Sequence, residues 1–189
     1  MYSKIIEQDC LEILQDRKLV DSIKGKRFLI TGSNGLIGNY FATLLDVANR
    51  EFDADITAYC YSKHKPNWTN KKFEFITGDI SISFVTRFPV DYVIHGATYP
   101  RPRILLANEL ETIGLNVDVT WNLLNLSSAM GAKLLFLSSS EVYGQPPLED
   151  LPTRENYTRT FPTDNIRSAY VESKRMGRCY VIFTIATLG

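Results

Sequence analysis

The eight residues Thr31-Gly32-Ser33-Asn34-Gly35-Leu36-Ile37-Gly38 join an apolar run, Phe28-Leu29-Ile30, to the helical pattern Tyr40-Phe41-Ala42-Thr43-Leu44-Leu45. Glycines placed this way between a strand and a helix leave few architectures open. One glycine allows the tight turn, the next lets a pyrophosphate approach the backbone, and the third lets helix and strand pack closely. The phosphates of a dinucleotide then sit on free N–H groups at the positive end of the helix. Gly32, Asn34, Gly35, Leu36, Ile37 and Gly38 are therefore the candidate cofactor-binding residues of this segment.

Downstream, short β-rich runs alternate with helical patterns, which is the mark of parallel βαβ units. The pattern predicts strands at Ile56–Tyr61, Phe73–Thr77, Tyr92–His95 and Leu134–Leu137. A long helix is expected from about Leu105 to Met130, with Leu110, Ile113, Val117, Trp121 and Leu124 apolar and Gly131 as its stop. The fold class that follows is α/β, a Rossmann-type doubly wound parallel sheet whose ligand crevice lies at the carboxyl ends of the strands. Residues 1–25 read as an amphipathic helix, with Ile6, Cys10, Ile13 and Leu14 on one stripe, and residues 26–189 as the dinucleotide-binding domain. The segment from Gln145 to Thr163, with Pro146, Pro147, Pro152 and Pro162, reads as an ordered loop leaving the fifth strand.

Composition narrows the function classes. At 189 residues, 44% hydrophobic and with zero formal net charge, the chain suits one globular domain without a general attraction to nucleic acid or acidic membranes. The three cysteines, Cys10, Cys60 and Cys179, show no metal-type spacing, so neither a disulfide framework nor a metal site is expected. No apolar run approaches the roughly 20 residues that span a bilayer, and a cytoplasmic location is expected.

A second constellation is Tyr170-Val171-Glu172-Ser173-Lys174, where tyrosine and lysine four apart share one side of a helix. A nearby ammonium favours the phenolate, drawing a tyrosine from about 10 toward the working pH and making it a general acid/base. Alone, that spacing also fits a solvated helix face. The run Leu137-Ser138-Ser139-Ser140-Glu141-Val142-Tyr143-Gly144 adds hydroxyls at a strand end, where a parallel sheet places its chemistry. Ser139 is placed to hydrogen-bond a reacting hydroxyl, or else to satisfy local backbone.

In that order, the glycine motif, the Ser-Ser-Ser-Glu-Val-Tyr-Gly run and Tyr-x-x-x-Lys resemble the extended short-chain dehydrogenase/reductase family over about residues 26–180. The resemblance implies a catalytic triad of Ser139, Tyr170 and Lys174, with Asn116 supporting the lysine and counted among the cofactor residues. It also implies that Asp79, within Gly78-Asp79-Ile80, meets the adenine amine, with Ile80 beside it. Gly96, Ala97 and Thr98 would line the cofactor beside the fourth strand. Within the family, Ser139-Ser140-Glu141 and the spacing of Arg167, Tyr170, Glu172, Lys174 and Arg175 are similar to the nucleotide-sugar branch that includes UDP-glucuronate decarboxylases and 4,6-dehydratases. The implied chemistry is transient oxidation at sugar C4 by bound NAD, with Glu141 as acid/base near C5 and Ser140 and Arg167 on the substrate. Epimerases share much of this pattern, a carbonyl reductase would use the same triad with net cofactor oxidation, and a catalytically inactive dinucleotide-binding module is the alternative from another class.

Two departures from the family pattern stand out. The second strand lacks the acidic residue that usually holds the NAD ribose about 20 positions after the glycines, and Lys63, His64 and Lys65 occupy that region. NAD is expected, with NADP as the alternative. The chain also ends shortly after Lys174, so by resemblance the C-terminal domain that closes over the nucleotide sugar is expected to be missing. The same resemblance implies a homodimer built on the long helices.

Overall fold

The computed structural model describes residues 4–66, 70–82, 88–99 and 107–188. Their contacts divide the chain into two units, one formed by Met1–Ala97 with Asn125–Leu135 and the other by Thr98–Leu124 with Phe136–Gly189.

The first unit begins with helices α1 (Lys4–Ile13) and α2 (Arg17–Ile23) and continues through β1 (Arg27–Thr31), α3 (Leu36–Phe52), β2 (Thr57–Ser62), β3 (Phe73–Thr77) and β4 (Tyr92–His95). With β5 (Lys133–Phe136) these strands make a five-stranded parallel sheet ordered β3-β2-β1-β4-β5. Chain order thus runs outward from β1 in one direction and resumes beside β1 in the other, so the switch point lies between β1 and β4. Ligands of doubly wound sheets enter at such a point. Register is set in part by Asp91, whose carboxylate accepts from the Arg27 backbone N–H at 2.8 Å and from Arg27 Nε at 3.0 Å. This places Phe28 opposite Tyr92 and Thr31 opposite His95. Four of the five β1 residues and three of the four β4 residues are buried, as expected for central strands covered on both faces.

In place of one amino-terminal helix over 1–25, the chain forms two. The break falls at Leu14–Asp16 because the Asp16 carboxylate caps Lys18 N–H at 3.0 Å and starts a new helix. Both helices bury apolar faces in the core of this unit, where Cys10 and Leu14 are fully covered beside Ile30, Leu45 and Ile56.

The second unit holds α4 (Glu109–Asn116), the start of α5 (Asp118–Met130), a short 3-10 turn (Ser140–Tyr143), a second at Leu148–Asp150, and α6 (Ser168–Leu188). The single long helix expected from Leu105 is therefore divided at Val117; Leu105 and Leu106 lie outside the described residues. At the division Val117 departs from ideal helical geometry, with φ −107 and ψ −67, and beside it the Thr120 hydroxyl donates to the Asn116 carbonyl at 2.7 Å. Gly131 does close α5, at φ +64.

Gly177 lets α6 lie close on its neighbours. A Cβ there would stand 2.8 Å from the Asn116 carbonyl oxygen and 2.6 Å from the Phe136 ring. Gly177→Ala is expected to cost about 1–3 kcal/mol through overpacking, read as a lower urea midpoint at unchanged slope.

Candidate active site

The glycine loop follows β1 directly. Gly32 has φ +71, and a Cβ on it would lie 2.8 Å from the backbone of Gly96 and Ala97. A Cβ on Gly38 would meet the Gly32 carbonyl oxygen and, at 2.8 Å, Ser33 Cα. Only hydrogen fits at either position, so loop, helix start and the end of β4 share a space without side chains. Asn34, Gly35, Leu36 and Ile37 are exposed at the amino end of α3. Gly35 N–H donates to the Gly32 carbonyl at 2.9 Å, and Asn39 N–H to that of Gly35 at 2.9 Å. This bare, N–H-rich turn fits a pyrophosphate.

Several groups around the loop take positions that sequence reasoning did not foresee. The Asn34 amide donates to the His64 carbonyl, which also accepts from Ser62 Oγ at 2.5 Å. Its side chain thereby ties the glycine loop to the basic turn after β2. Lys63 forms an ion pair with Asp79 at 2.7 Å, and Asp79 also accepts from Ser81 Oγ at 2.6 Å and Ser81 N–H at 3.0 Å. Burial pushes the Asp79 carboxyl up, but Lys63 and Ser81 together outweigh it and hold the group below the usual carboxylate range. Ile80 beside it is buried. Thr31 Oγ1 and His95 Nδ1 lie 2.8 Å apart, fully buried, and Thr31 Oγ1 accepts from Ala97 N–H at 3.3 Å. The register between β1 and β4 was the missing information, since these residues lie far apart in sequence.

The second unit gathers Ser139, Glu141, Arg167, Tyr170 and Lys174. Ser139 ends the extended segment after β5 and caps the 3-10 turn, its hydroxyl oxygen accepting from Glu141 N–H at 3.3 Å. Ser140 follows at the surface. Glu141 takes a two-pronged grip from Arg167, through Nε at 2.9 Å and through Nη2. The Arg167 guanidinium stands 5.9 Å from the Tyr170 ring centroid. Both partners of the ion pair are about one-third exposed. Tyr170 and Lys174 are buried on the inner face of α6.

Lys174 Nζ donates to the Leu137 carbonyl at 2.7 Å and lies 4.7 Å from the Phe136 ring centroid. Burial pulls its ammonium down to about 8. Asn116, which the resemblance placed in support of this lysine, donates through Nδ2 to Ser173 Oγ at 3.0 Å, one residue before Lys174. Its Oδ1 is buried without a hydrogen-bond partner. The hydroxyl of Thr98 is likewise buried and unpartnered.

Among the described residues, no group of three or more His, Cys, Asp or Glu side chains could hold a metal, and no helix is long and apolar enough to cross a membrane.

A side-chain-free glycine turn at the switch point of a doubly wound sheet, and a Ser/Tyr/Lys set on one chain, define a Rossmann-type α/β protein of the short-chain dehydrogenase kind. The chain belongs to the NAD dependent epimerase/dehydratase family, whose model matches residues 28–185. It is 32% identical over 154 residues to UDP-glucuronic acid decarboxylase 6 of Arabidopsis thaliana, covering 79% of this chain and 43% of that protein. UDP-glucuronic acid decarboxylase 1 of Danio rerio is 31% identical over 159 residues, covering 82% of this chain and 37% of that protein. The chain thus spans less than half the length of these curated relatives. In fold it resembles a UDP-galactose 4-epimerase crystal structure, with TM-score 0.68 and 23% identity over 86% of this chain and 52% of that one. A UDP-glucose 4-epimerase of Thermotoga maritima, with UDP-glucose, gives TM-score 0.65 and 21% identity over 86% and 52%.

Proposed function

We propose that this chain is the dinucleotide-binding and catalytic portion of a nucleotide-sugar-modifying enzyme, most like a UDP-glucuronate decarboxylase. The observation that carries the reading is the cluster in which Glu141 and Arg167 form an ion pair beside Tyr170, on the helix that also buries Lys174. In this reading the turn Gly32–Gly38 and the amino end of α3 hold the pyrophosphate of NAD. By the resemblance, Asp79 and Ile80 would meet the adenine, and Gly96, Ala97, Thr98 and Asn116 would be the other cofactor-binding residues. Bound there, NAD would supply reversible hydride acceptance for oxidation at sugar C4.

Tyr170 acts as the base that removes the C4 hydroxyl proton, and Ser139 donates a hydrogen bond to the C4 oxygen. With a ketone at C4, a carboxylate on C5 leaves as carbon dioxide because the remaining electron pair delocalises as an enolate. Glu141 supplies or orients the proton that then returns to C5. Arg167 presents its fork to the sugar acid, for which a planar bidentate donor is suited, and Ser140 contacts the sugar. Lys174 holds the nicotinamide ribose and supports the phenolate charge of Tyr170.

The test is incubation of the purified chain with NAD and UDP-glucuronate, followed by mass spectrometry for UDP-pentose. Tyr170→Phe is expected to lower turnover by about 100-fold or more, in the range set by positioned acid–base groups. Full turnover in that variant would remove the central role assigned here. Interconversion of UDP-glucose and UDP-galactose without carbon dioxide release would assign the epimerase reaction, and NAD binding without any sugar turnover would assign a binding module. The homodimer implied by the resemblance belongs to the same proposal. Leu110, Ile113, Trp121 and Met176 of the second unit are exposed apolar residues that such a contact would cover, and sedimentation velocity reads the outcome directly.

A further inference from the structure

Helices α1 and α2 precede the family match, which begins at residue 28. Their attachment to α3 is nevertheless extensive. Asp9 accepts from the Tyr40 hydroxyl at 2.7 Å, and Cys10 Sγ lies 3.8 Å from the Tyr40 carbonyl oxygen. Glu7 pairs with Arg50, which also pairs with Asp46 at 3.2 Å. The Arg17 guanidinium sits 5.0 Å from the Phe52 ring centroid, at the last residue of α3. Beneath these polar ties, Ile6, Cys10 and Leu14 share one core with Ala42, Leu45 and Ala48.

We propose that α1 is a positioning element for the dinucleotide, with Asp9 and Tyr40 as its positioning residues, acting through the seating of α3 against the glycine loop. The inference rests on the dinucleotide reading above. Its physical basis is that the loop tolerates no slack. Gly38 has backbone atoms on all the space a Cβ would need, so a small slide or tilt of α3 alters the set of N–H groups offered to the pyrophosphate. Tyr40 lies only two residues beyond Gly38, and Asp9 is the side chain of α1 that grips it. Coupling of this kind is reciprocal: if α1 improves dinucleotide binding, dinucleotide binding must hold α1 down.

The cysteines provide the readout. Cys10, on the buried face of α1, is fully covered and its thiol is pushed up to about 11 by burial and by Asp9 and Glu7, so a thiol reagent reaches it when α1 lifts. Cys60 on β2 is equally buried and reports opening of the sheet, while exposed Cys179 is removed by Cys179→Ser. In that background NAD is expected to slow labelling of Cys10. Asp9→Asn and, as a gentler change, Tyr40→Phe are expected to weaken NAD binding by at least about 5-fold, the lower end of coupling between linked sites, and Tyr40→Phe, which leaves the carboxylates beside the thiol in place, is expected to speed Cys10 labelling. Binding is measured calorimetrically at a temperature where circular dichroism shows each variant folded. NAD affinity within twofold of the parent in both variants, or a Cys10 rate indifferent to saturating NAD, overturns the proposal. Failure of the parent chain to bind NAD at all overturns the dinucleotide reading and this inference with it.

Discussion

Gly38→Ala is expected to weaken NAD binding by roughly 10- to 100-fold while leaving the strands intact. The added methyl would press on the Gly32 carbonyl oxygen and stand 2.8 Å from Ser33 Cα and 2.9 Å from the Gly32 carbonyl carbon. All three are backbone atoms of the loop, so none can swing aside as a side-chain tip would. Either the loop or the first turn of α3 must move. Overpacking of this kind costs about 1–3 kcal/mol, and here the displaced atoms belong to the turn whose N–H groups would cradle phosphate, so the cost falls on binding at about tenfold per 1.4 kcal/mol. Gly35→Ala is the graded comparison, because its Cβ meets only the Gly32 carbonyl oxygen at 3.2 Å and should cost less. Titration calorimetry with NAD reads both. Equal affinity of Gly38→Ala and the parent chain would mean that the turn is not the pyrophosphate site.

The second large effect concerns Lys174, which is 2% exposed. Burial lowers its ammonium from 10.5 to about 8, so the folded chain releases this proton more readily than the unfolded chain. Between about pH 8 and pH 10.5 the unfolded state holds the extra proton, and stability must rise with pH across that window. Below pH 8 the lysine is protonated in both states and the folded chain carries the whole penalty, about 3 kcal/mol at 1.36 kcal/mol per unit. Lys174→Met should abolish this rise. The difference between parent and variant in urea stability, taken every half pH unit, should therefore climb by about 3 kcal/mol and level off above pH 10.5. Subtraction also removes the opposite trend from Tyr40, whose phenol is held up chiefly by its hydrogen bond to Asp9 and loses that support at alkaline pH. A flat difference curve would mean that Lys174 is solvated. Under the function proposed above, the same variant is also expected to lose sugar turnover, which the assay with UDP-glucuronate reads.

The ion pair between Arg167 and Glu141 bears on that chemistry. The guanidinium fork of Arg167 is engaged by Glu141 through Nε at 2.9 Å and through Nη2, so in this state it is occupied by a carboxylate of the chain itself. In the function proposed above, a sugar carboxylate would have to displace Glu141 to reach Arg167. The partial exposure of both groups leaves room for it.

Local features were legible in the sequence where their cause was local. The glycine turn was readable because backbone sterics act within a few residues, and the strands at Phe73–Thr77 and Tyr92–His95 were readable from β-rich apolar runs. The shared helix face of Tyr170 and Lys174 follows from helical period alone. Reading by period failed where local geometry interrupts it: Asp16 caps a separate helix in the amino-terminal segment, and Val117, at φ −107 and ψ −67, divides the long one.

What the sequence by itself determined was the set of elements, the glycine-lined turn and the identity of the chemical groups. Only the tertiary structure decided what those groups do to one another. Strand register brought Thr31 to His95, and packing turned Lys63 onto Asp79 and Arg167 onto Glu141. Enclosure from neighbouring elements, rather than any adjacent residue, lowered the lysine at 174. Charge pairing and desolvation depend on everything within a few ångströms in space, and neighbours along the chain supply only a small part of that surrounding.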